Sequence, residues 1–311
     1  MSTTKQKTSF EKINLQFRIF FNRHPAIPYI LKWLLISSII GIFVGSASAG
    51  FLQSLDWITN YREHHLWLIA FLPIGGFIIG LLYFYLGKDI EAGNNLLIDS
   101  IHNPKEIIPF RMAPFIYIGT MATHLFGGSA GREGTALQMA GAISDQFSKP
   151  FRLIESERKI LLIAAIAAGF GSVFGTPLAG AIFGLEVFII GRLKYDAIFP
   201  AFAAAIIADF VTKLWHTNHT HYHINLIPAL SVLNIIYAIL AGIAFGLCAA
   251  TFTKTIHFMG SIFKSKITFP PFRPMVGGII VAISVWAIGT SKYIGLGIPT
   301  IIDSFNQQLP A

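Results

Sequence analysis

Charged residues and cysteine are both scarce in this 311-residue chain. Charged side chains make up 12% of the residues, hydrophobic side chains make up 54%, and the mean hydropathy is +0.63. Soluble domains carry about 25% charged residues, so this composition excludes an ordinary water-soluble enzyme. The single cysteine, Cys248, excludes a disulfide framework and any zinc or iron–sulfur site built from cysteines.

Long hydrophobic blocks follow one another along the chain. A helix needs about 20 apolar residues to cross a bilayer core, and fewer where it does not span fully. Seven blocks approach or exceed this length: residues 33–55, 66–87, 112–131, 160–191, 197–211, 224–253 and 275–291. We expect the longest blocks to divide at glycine or proline. Short segments broken in this way are typical of channels and secondary transporters, so the sequence predicts an all-α integral membrane protein with several spans.

Basic residues dominate the segment before the first hydrophobic block. Only Glu11 opposes a group of six basic residues: Lys5, Lys7, Lys12, Arg18, Arg23 and Lys32. Under the positive-inside rule this bias predicts a cytoplasmic N-terminus and a location in the cell membrane. Nucleic acid is a much poorer explanation, and we expect no such partner. We therefore divide the chain into a basic N-terminal segment, 1–31, and a multi-pass membrane domain, 32–311.

The glycine-rich sequence GGSAGREG, residues 127–134, is the sharpest motif in the chain. It follows an apolar stretch and places Arg132 and Glu133 at the expected start of a helix within membrane depth. Unpaired N–H groups at a helix start form an anion site, which the helix dipole strengthens. Glu133 could occupy the anion position and leave it when protonated. The alternative interpretation is a surface turn held by an Arg132–Glu133 pair.

Two motifs in this order resemble the CLC family of chloride channels and anion–proton antiporters. The sequence GREGT at 131–135 is similar to the family signature Gly-(Lys/Arg)-Glu-Gly-Pro, with Thr135 in place of proline. Residues 167–186, AAGFGSVFGTPLAGAIFGLE, resemble the family's next stretch. The resemblance runs from about residue 30 to the end. It implies a bundle of broken and tilted transmembrane helices, with Glu133 as the gating and proton-coupling residue and Gly131, Arg132 and Gly134 around the anion.

The family's first signature, Gly-Ser-Gly-Ile-Pro, is altered here. By its order in the chain it corresponds to residues 91–96, EAGNNL, where Ala92 replaces the anion-coordinating serine and Asn95 replaces proline. This departure resembles the fluoride-exporting branch of the family and assigns Gly93, Asn94 and Asn95 to anion binding. Loss of the hydroxyl weakens a site shaped for a large, weakly hydrated anion. The two asparagines either donate N–H groups to the ion or cap the following helix, and both interpretations remain open.

Other conspicuous residues carry weaker indications. Glu186 is expected to cap or bond a neighbouring helix end, because Val187 occupies the position where chloride antiporters of the family commonly have a second glutamate. The sequence GLGIP at 295–299 copies the first signature, but its late position indicates a loop before a helix. A histidine cluster, His216, His219, His221 and His223, lies outside the hydrophobic blocks, so we predict a solvated loop and no metal site.

The leading functional hypothesis is fluoride/proton antiport, with fluoride or chloride, protons and membrane lipid as partners. The alternatives are a voltage-gated or passive chloride channel and a non-transporting fragment. An intramembrane metalloenzyme is disfavoured because the histidines cluster outside the apolar blocks, so we expect neither enzymatic activity nor a cofactor. The resemblance also implies a homodimer.

The chain is also expected to contain only part of the family fold. CLC-like proteins consist of two inverted halves, and the first half is recognisable here from the motifs around Glu133 and Pro177. The second half should contribute another glycine-rich helix start, which does not occur between residues 191 and 311. The sequence therefore predicts the first half plus part of the second. We expect weak or no coupled transport from these 311 residues alone.

Overall fold

The computed structural model describes residues 26–103, 106–187, 194–217, 219 and 229–306, and within those ranges all regular structure is helical. One segment, Leu66–Phe71, is a 3₁₀ helix. The α-helices are α1 (Ala26–His64), α2 (Leu72–Leu86), α3 (Asn94–His102), α4 (Met112–Leu125), α5 (Arg132–Asp145), α6 (Glu155–Phe174), α7 (Pro177–Glu186), α8 (Tyr195–Leu214), α9 (Val232–Lys266), α10 (Phe272–Ile288) and α11 (Ile298–Asn306).

Four helical stretches are long and apolar enough to cross a membrane. They are Ala26–His64, Leu66–Leu86, Tyr195–Leu214 and Val232–Lys266. Shorter helices such as α5 and α7, with 14 and 10 residues, cannot cross a bilayer core of about 30 Å at 1.5 Å per residue. Long spans and short helices therefore occur together, and the prediction of an all-α membrane protein is confirmed.

Glycine and proline divide the longest hydrophobic block as expected. Helix α6 ends at Phe174, and Gly175 follows in the left-handed conformation with φ of 68°. Helix α7 then begins at Pro177, whose fixed φ suits the first helical position. The boundary predicted between residues 31 and 32, by contrast, falls inside α1, so residues 26–31 are helical. Residues 1–25 of the basic segment lie outside the described residues.

Among the described residues, one compact unit comprises those up to Gln53, those of Ala92–Ile116 and those of Arg132–Thr217. Its core consists largely of alanine and branched aliphatic side chains from α1, α5, α6, α7 and α8. Small residues let these helices approach closely: a methyl group placed on Gly180 of α7 would lie 2.6 Å from the Cα atom of Gly171 on α6. The helix backbones of this unit are therefore in close contact, and a position such as Gly180 has no room for a side chain.

The other compact unit comprises Ser54–Glu91, Tyr117–Gly131 and the described residues after position 218. Helices α2 and α10 pack against each other within it, and a methyl group on Gly278 would lie 2.8 Å from the backbone nitrogen of Pro73. Helix α9 has no buried residue, although it is strongly apolar. An apolar helix with this exposure suits contact with lipid or with further protein.

Candidate functional site

Glu133 lies in the first turn of α5, directly after the glycine-rich segment. The helix begins at Arg132, so Glu133 is its second residue. The Glu133 side chain is exposed and makes no ion pair or hydrogen bond in the described part of the chain. Nearly every residue from Thr135 to Asp145 is buried. The helix thus presents an unpaired carboxylate at the end where its free N–H groups favour negative charge.

A second helix start, that of α3, lies at the altered first signature. Gly93 precedes the helix with φ of 59° and ψ of −124°, and Asn94 is the first helical residue. No side chain caps this helix, so the interpretation of the asparagines as caps is wrong. Asn94 and Asn95 are exposed. A positive φ is strained for any residue with a Cβ atom, which explains glycine at position 93.

The starts of α3 and α5 lie close together within the same unit. A methyl group on Gly134 would lie 3.2 Å from Nδ2 of Asn94, and one on Gly93 would lie 3.4 Å from Nε2 of Gln138. Gln138 is 8% exposed and makes no hydrogen bond to the described residues. The structure therefore brings together Gly93, Asn94 and Gly134 and adds Gln138. Asn95 makes no side-chain hydrogen bond in the described ranges.

Arg132 is directed toward an aromatic ring. Its guanidinium carbon lies 4.9 Å from the centre of the Phe174 ring, a cation–π distance. Phe174 in turn lies 4.6 Å from Phe170, between ring centres. The alternative of a surface turn held by an Arg132–Glu133 pair is therefore wrong. Gly131, the residue before Arg132, is exposed and outside the helix.

A buried ion pair anchors the opposite end of α5. Asp145, with a fully buried side chain, accepts from Arg158 Nη2 at 2.6 Å and from Arg158 Nε at 2.7 Å. It also accepts from the backbone N–H of Ile108 at 2.8 Å and from the hydroxyl of Ser148 at 2.7 Å. Arg158 lies in α6 and is itself buried, so both partners of the ion pair are shielded from solvent.

The structure also describes most of the remaining sequence-predicted positions. Glu186 is the last residue of α7, exposed and unbonded in the described chain, so the expected bond to a helix end is not found. The GLGIP sequence forms a turn in which Gly295 and Gly297 have positive φ, and α11 begins at Ile298, as expected for a loop before a helix. His221 and His223 lie outside the described residues.

Sequence reasoning missed Gln138, the Asp145–Arg158 pair and a contact between Arg62 and His124. His124 and Gln138 are polar residues in largely apolar sequence, and that isolation is the signal that could have identified them. Arg62, Asp145 and Arg158 lie in polar segments between the hydrophobic blocks, where nothing in the sequence distinguishes them. The sequence could not predict which residues pair, because the partners belong to different parts of the fold. Asp145 is in α5, for example, and Arg158 is in α6. Arg62 and His124 are 62 residues apart.

The chain is similar to known proteins of one family. The family described as voltage gated chloride channel matches residues 75–311. A chloride/fluoride channel protein of Pseudomonas syringae pv. tomato is 51% identical over 91% of this chain. The H(+)/Cl(-) exchange transporter ClcA of Cronobacter sakazakii is 27% identical over 75% of the chain. The chain spans 64% of the length of the first relative and 53% of the second.

Two solved structures are similar to this chain in fold. The crystal structure of a CLC-type fluoride/proton antiporter superposes with a TM-score of 0.85 at 32% identity, covering 90% of this chain and 71% of that one. A slow cyanobacterial Cl⁻/H⁺ antiporter, 18% identical, superposes with a TM-score of 0.76, covers 89% of this chain and 68% of that one, and supports the fold alone. The family match, the 51% identical relative and the motifs together identify this chain as a member of the voltage-gated chloride channel (CLC) family.

Proposed function

We propose that this chain forms part of a CLC-type pathway that exchanges fluoride for protons, with Glu133 as the group that gates the anion and carries the proton. The observation that carries the proposal is the position of Glu133. It lies in the first turn of α5, exposed and without an ion pair in the described ranges, between Arg132 and Gly134. A carboxylate there competes with an anion for the helix N–H groups and vacates the position on protonation.

The group of residues at the start of α3 favours fluoride over chloride. Fluoride is small and strongly hydrated, so its site has to replace the lost water with close N–H or O–H donors. The side-chain amides of Asn94 and Gln138 lie beside Gly134 and Gly93, and neither glycine has a side chain to obstruct an ion. Ala92 supplies no hydroxyl for chloride. These features support the assignment of Gly93, Asn94, Asn95, Gly131, Arg132 and Gly134 to the anion pathway.

A chloride pathway is the second candidate. One observation favours it: Val187 stands next to Glu186, at the end of α7, and cannot carry a proton. Without an internal carboxylate at that position, proton transfer depends on Glu133 and water. A chloride channel needs no such transfer, so absence of proton movement during anion flux favours this candidate.

The proposed setting is a cell membrane, with the basic N-terminus in the cytoplasm. Lipid surrounds the spans, and two copies of the chain associate as a homodimer, as the family resemblance implies. Fluoride or chloride and protons are the transported species. No enzymatic step, cofactor or nucleic acid enters the proposal.

Ion flux from liposomes tests the exchange directly. Purified protein is reconstituted, fluoride and chloride release are recorded with ion-selective electrodes, and internal pH is followed at the same time. We expect fluoride release to drive proton uptake. In Glu133→Gln this proton movement should fall to the level of protein-free liposomes, because an amide does not take up and release protons near neutral pH.

Glu186→Gln is the matched control, since Glu186 is also an exposed glutamate at a helix end. Its proton movement should equal that of the unmodified chain. If proton coupling survives in Glu133→Gln, Glu133 is not part of the mechanism. If both variants lose proton coupling equally, the loss is not specific to Glu133.

The same assay also tests the proposal as a whole. Absence of both fluoride and chloride flux from liposomes that contain the unmodified chain would overturn the proposed function.

A further inference from the structure

A buried histidine holds the segment that leads to Glu133. His124 is fully buried at the end of α4, and its Nε2 lies 2.9 Å from the carbonyl oxygen of Ala130, three residues before Glu133. A carbonyl can only accept, so His124 donates through Nε2 and its Nδ1 is left as an acceptor. This hydrogen bond closes the glycine-rich loop, residues 126–131, back onto the helix that precedes it.

Arg62 reaches the same loop from the last turn of α1. Its Nη1 lies 3.5 Å from the carbonyl oxygen of His124, which also accepts from the backbone N–H of Gly127 at 3.2 Å. The Arg62 side chain is 5% exposed, and its ion-pair partner in the described ranges, Glu63, is half-exposed at 3.3 Å. Arg62 and His124 thus approach the two ends of the loop.

Close packing around the guanidinium leaves the loop little freedom. Gly295, at φ of 71°, faces Arg62 so closely that a methyl group there would lie 2.6 Å from Nη1. A methyl group on Gly127, at φ of 81°, would lie 3.0 Å from Ile69 Cγ1. Both turns belong to the same compact unit as Arg62 and His124. Displacing the loop therefore requires several packed groups to move together.

The same contacts leave polar atoms buried without partners, which costs free energy and is not explained by close packing. Within the described chain, Arg62 Nε and His124 Nδ1 are buried without a hydrogen-bond partner. A buried charge with imperfect pairing is often no more stable than an apolar replacement of similar volume. Polar residues retained at such a place suggest a role in directing the backbone rather than in stabilising the fold.

We infer that Arg62 and His124 are positioning residues, which fix the backbone path of the glycine-rich loop that precedes Glu133 in the chain. The inference that these residues fix the loop is based on the contacts described above. The inference that the loop affects transport rests on the function proposed in the preceding subsection.

Hydrogen exchange of the intact 311-residue chain tests the placement without any need for transport. His124→Phe keeps a ring of similar size and removes the Nε2 donor, whereas His124→Gln retains an amide N–H near that position. We expect peptides covering residues 127–134 to exchange about two- to tenfold faster in His124→Phe, the factor that one neutral hydrogen bond is worth. His124→Gln should exchange at the rate of the unmodified chain, and Arg62→Met should resemble His124→Phe.

His102→Phe is the matched control. His102 is exposed at the end of α3, where its Nδ1 lies 2.8 Å from the carbonyl oxygen of Ile98, and the same substitution there should leave the loop unchanged. Unaltered loop exchange in His124→Phe would overturn the inference. Faster exchange in His124→Gln, equal to that of His124→Phe, would overturn it as well.

The ratio of protons to fluoride, measured in the flux assay, separates positioning from general stability. If the proton-coupling role of Glu133 depends on this loop, His124→Phe should lower the ratio of protons to fluoride without changing the thermal midpoint, and His124→Gln should retain the ratio. A looser loop with an unaltered ratio would refute the link to Glu133. If the loop of His124→Phe exchanges faster but the unmodified chain carries no fluoride, the proposed function is refuted and the placement of the loop is supported.

Discussion

Removing Arg158 should destabilise the protein strongly, because it leaves a buried carboxylate without its cation. Asp145 has a fully buried side chain and accepts two hydrogen bonds from Arg158, at 2.6 and 2.7 Å. In Arg158→Ala the bonds from Ile108 N–H and Ser148 remain, but the charge is uncompensated. Breaking a buried pair in this way costs about 3–5 kcal/mol of unfolding free energy. Equilibrium unfolding in mixed detergent micelles, followed by tryptophan fluorescence, measures the loss.

The adjacent Lys159→Ala is the matched control. Lys159 donates at 3.0 Å to the carbonyl oxygen of His102 in an exposed hydrogen bond, so its removal should cost about 1 kcal/mol or less. The double variant Asp145→Asn/Arg158→Met removes both charges and keeps an acceptor for Ile108, so it should recover part of the loss. If Arg158→Ala unfolds within about 1 kcal/mol of Lys159→Ala, the assignment of a buried, charge-dependent anchor at the end of α5 is refuted.

Three further substitutions address selectivity, packing and backbone conformation. Ala92→Ser restores the hydroxyl of the family's first signature and should lower the ratio of fluoride to chloride flux, and an unchanged ratio would contradict the fluoride assignment. Gly180→Ala places a methyl group 2.6 Å from Gly171 and should cost about 1–3 kcal/mol of unfolding free energy, whereas Gly242→Ala, with open space around it, should be neutral or stabilising. Gly93→Ala must adopt φ of 59°, which should cost about 1–3 kcal/mol and lower the thermal midpoint, and an unchanged midpoint would mean that α3 can begin differently.

The motifs predicted where two short helices begin. Gly93 precedes α3 with a positive φ, which glycine adopts more readily than any other residue, and α5 begins just after Gly131. The division between α6 and α7 follows likewise from Gly175 and Pro177. Interpretations of polar residues failed more often, since the asparagines do not cap α3 and Arg132 packs on Phe174.

The sequence by itself determined the class of protein, the main breaks between helices and the identity of the glutamate at a helix start. Composition and hydrophobic length decide whether a chain enters a membrane, and glycine and proline decide where its helices stop. Only the tertiary structure decided that Asn94 and Gln138 lie beside Gly134 and Gly93, and that Asp145 pairs with Arg158. These residues lie on different helices, and their contacts depend on how the helices pack, which no local pattern in the sequence records.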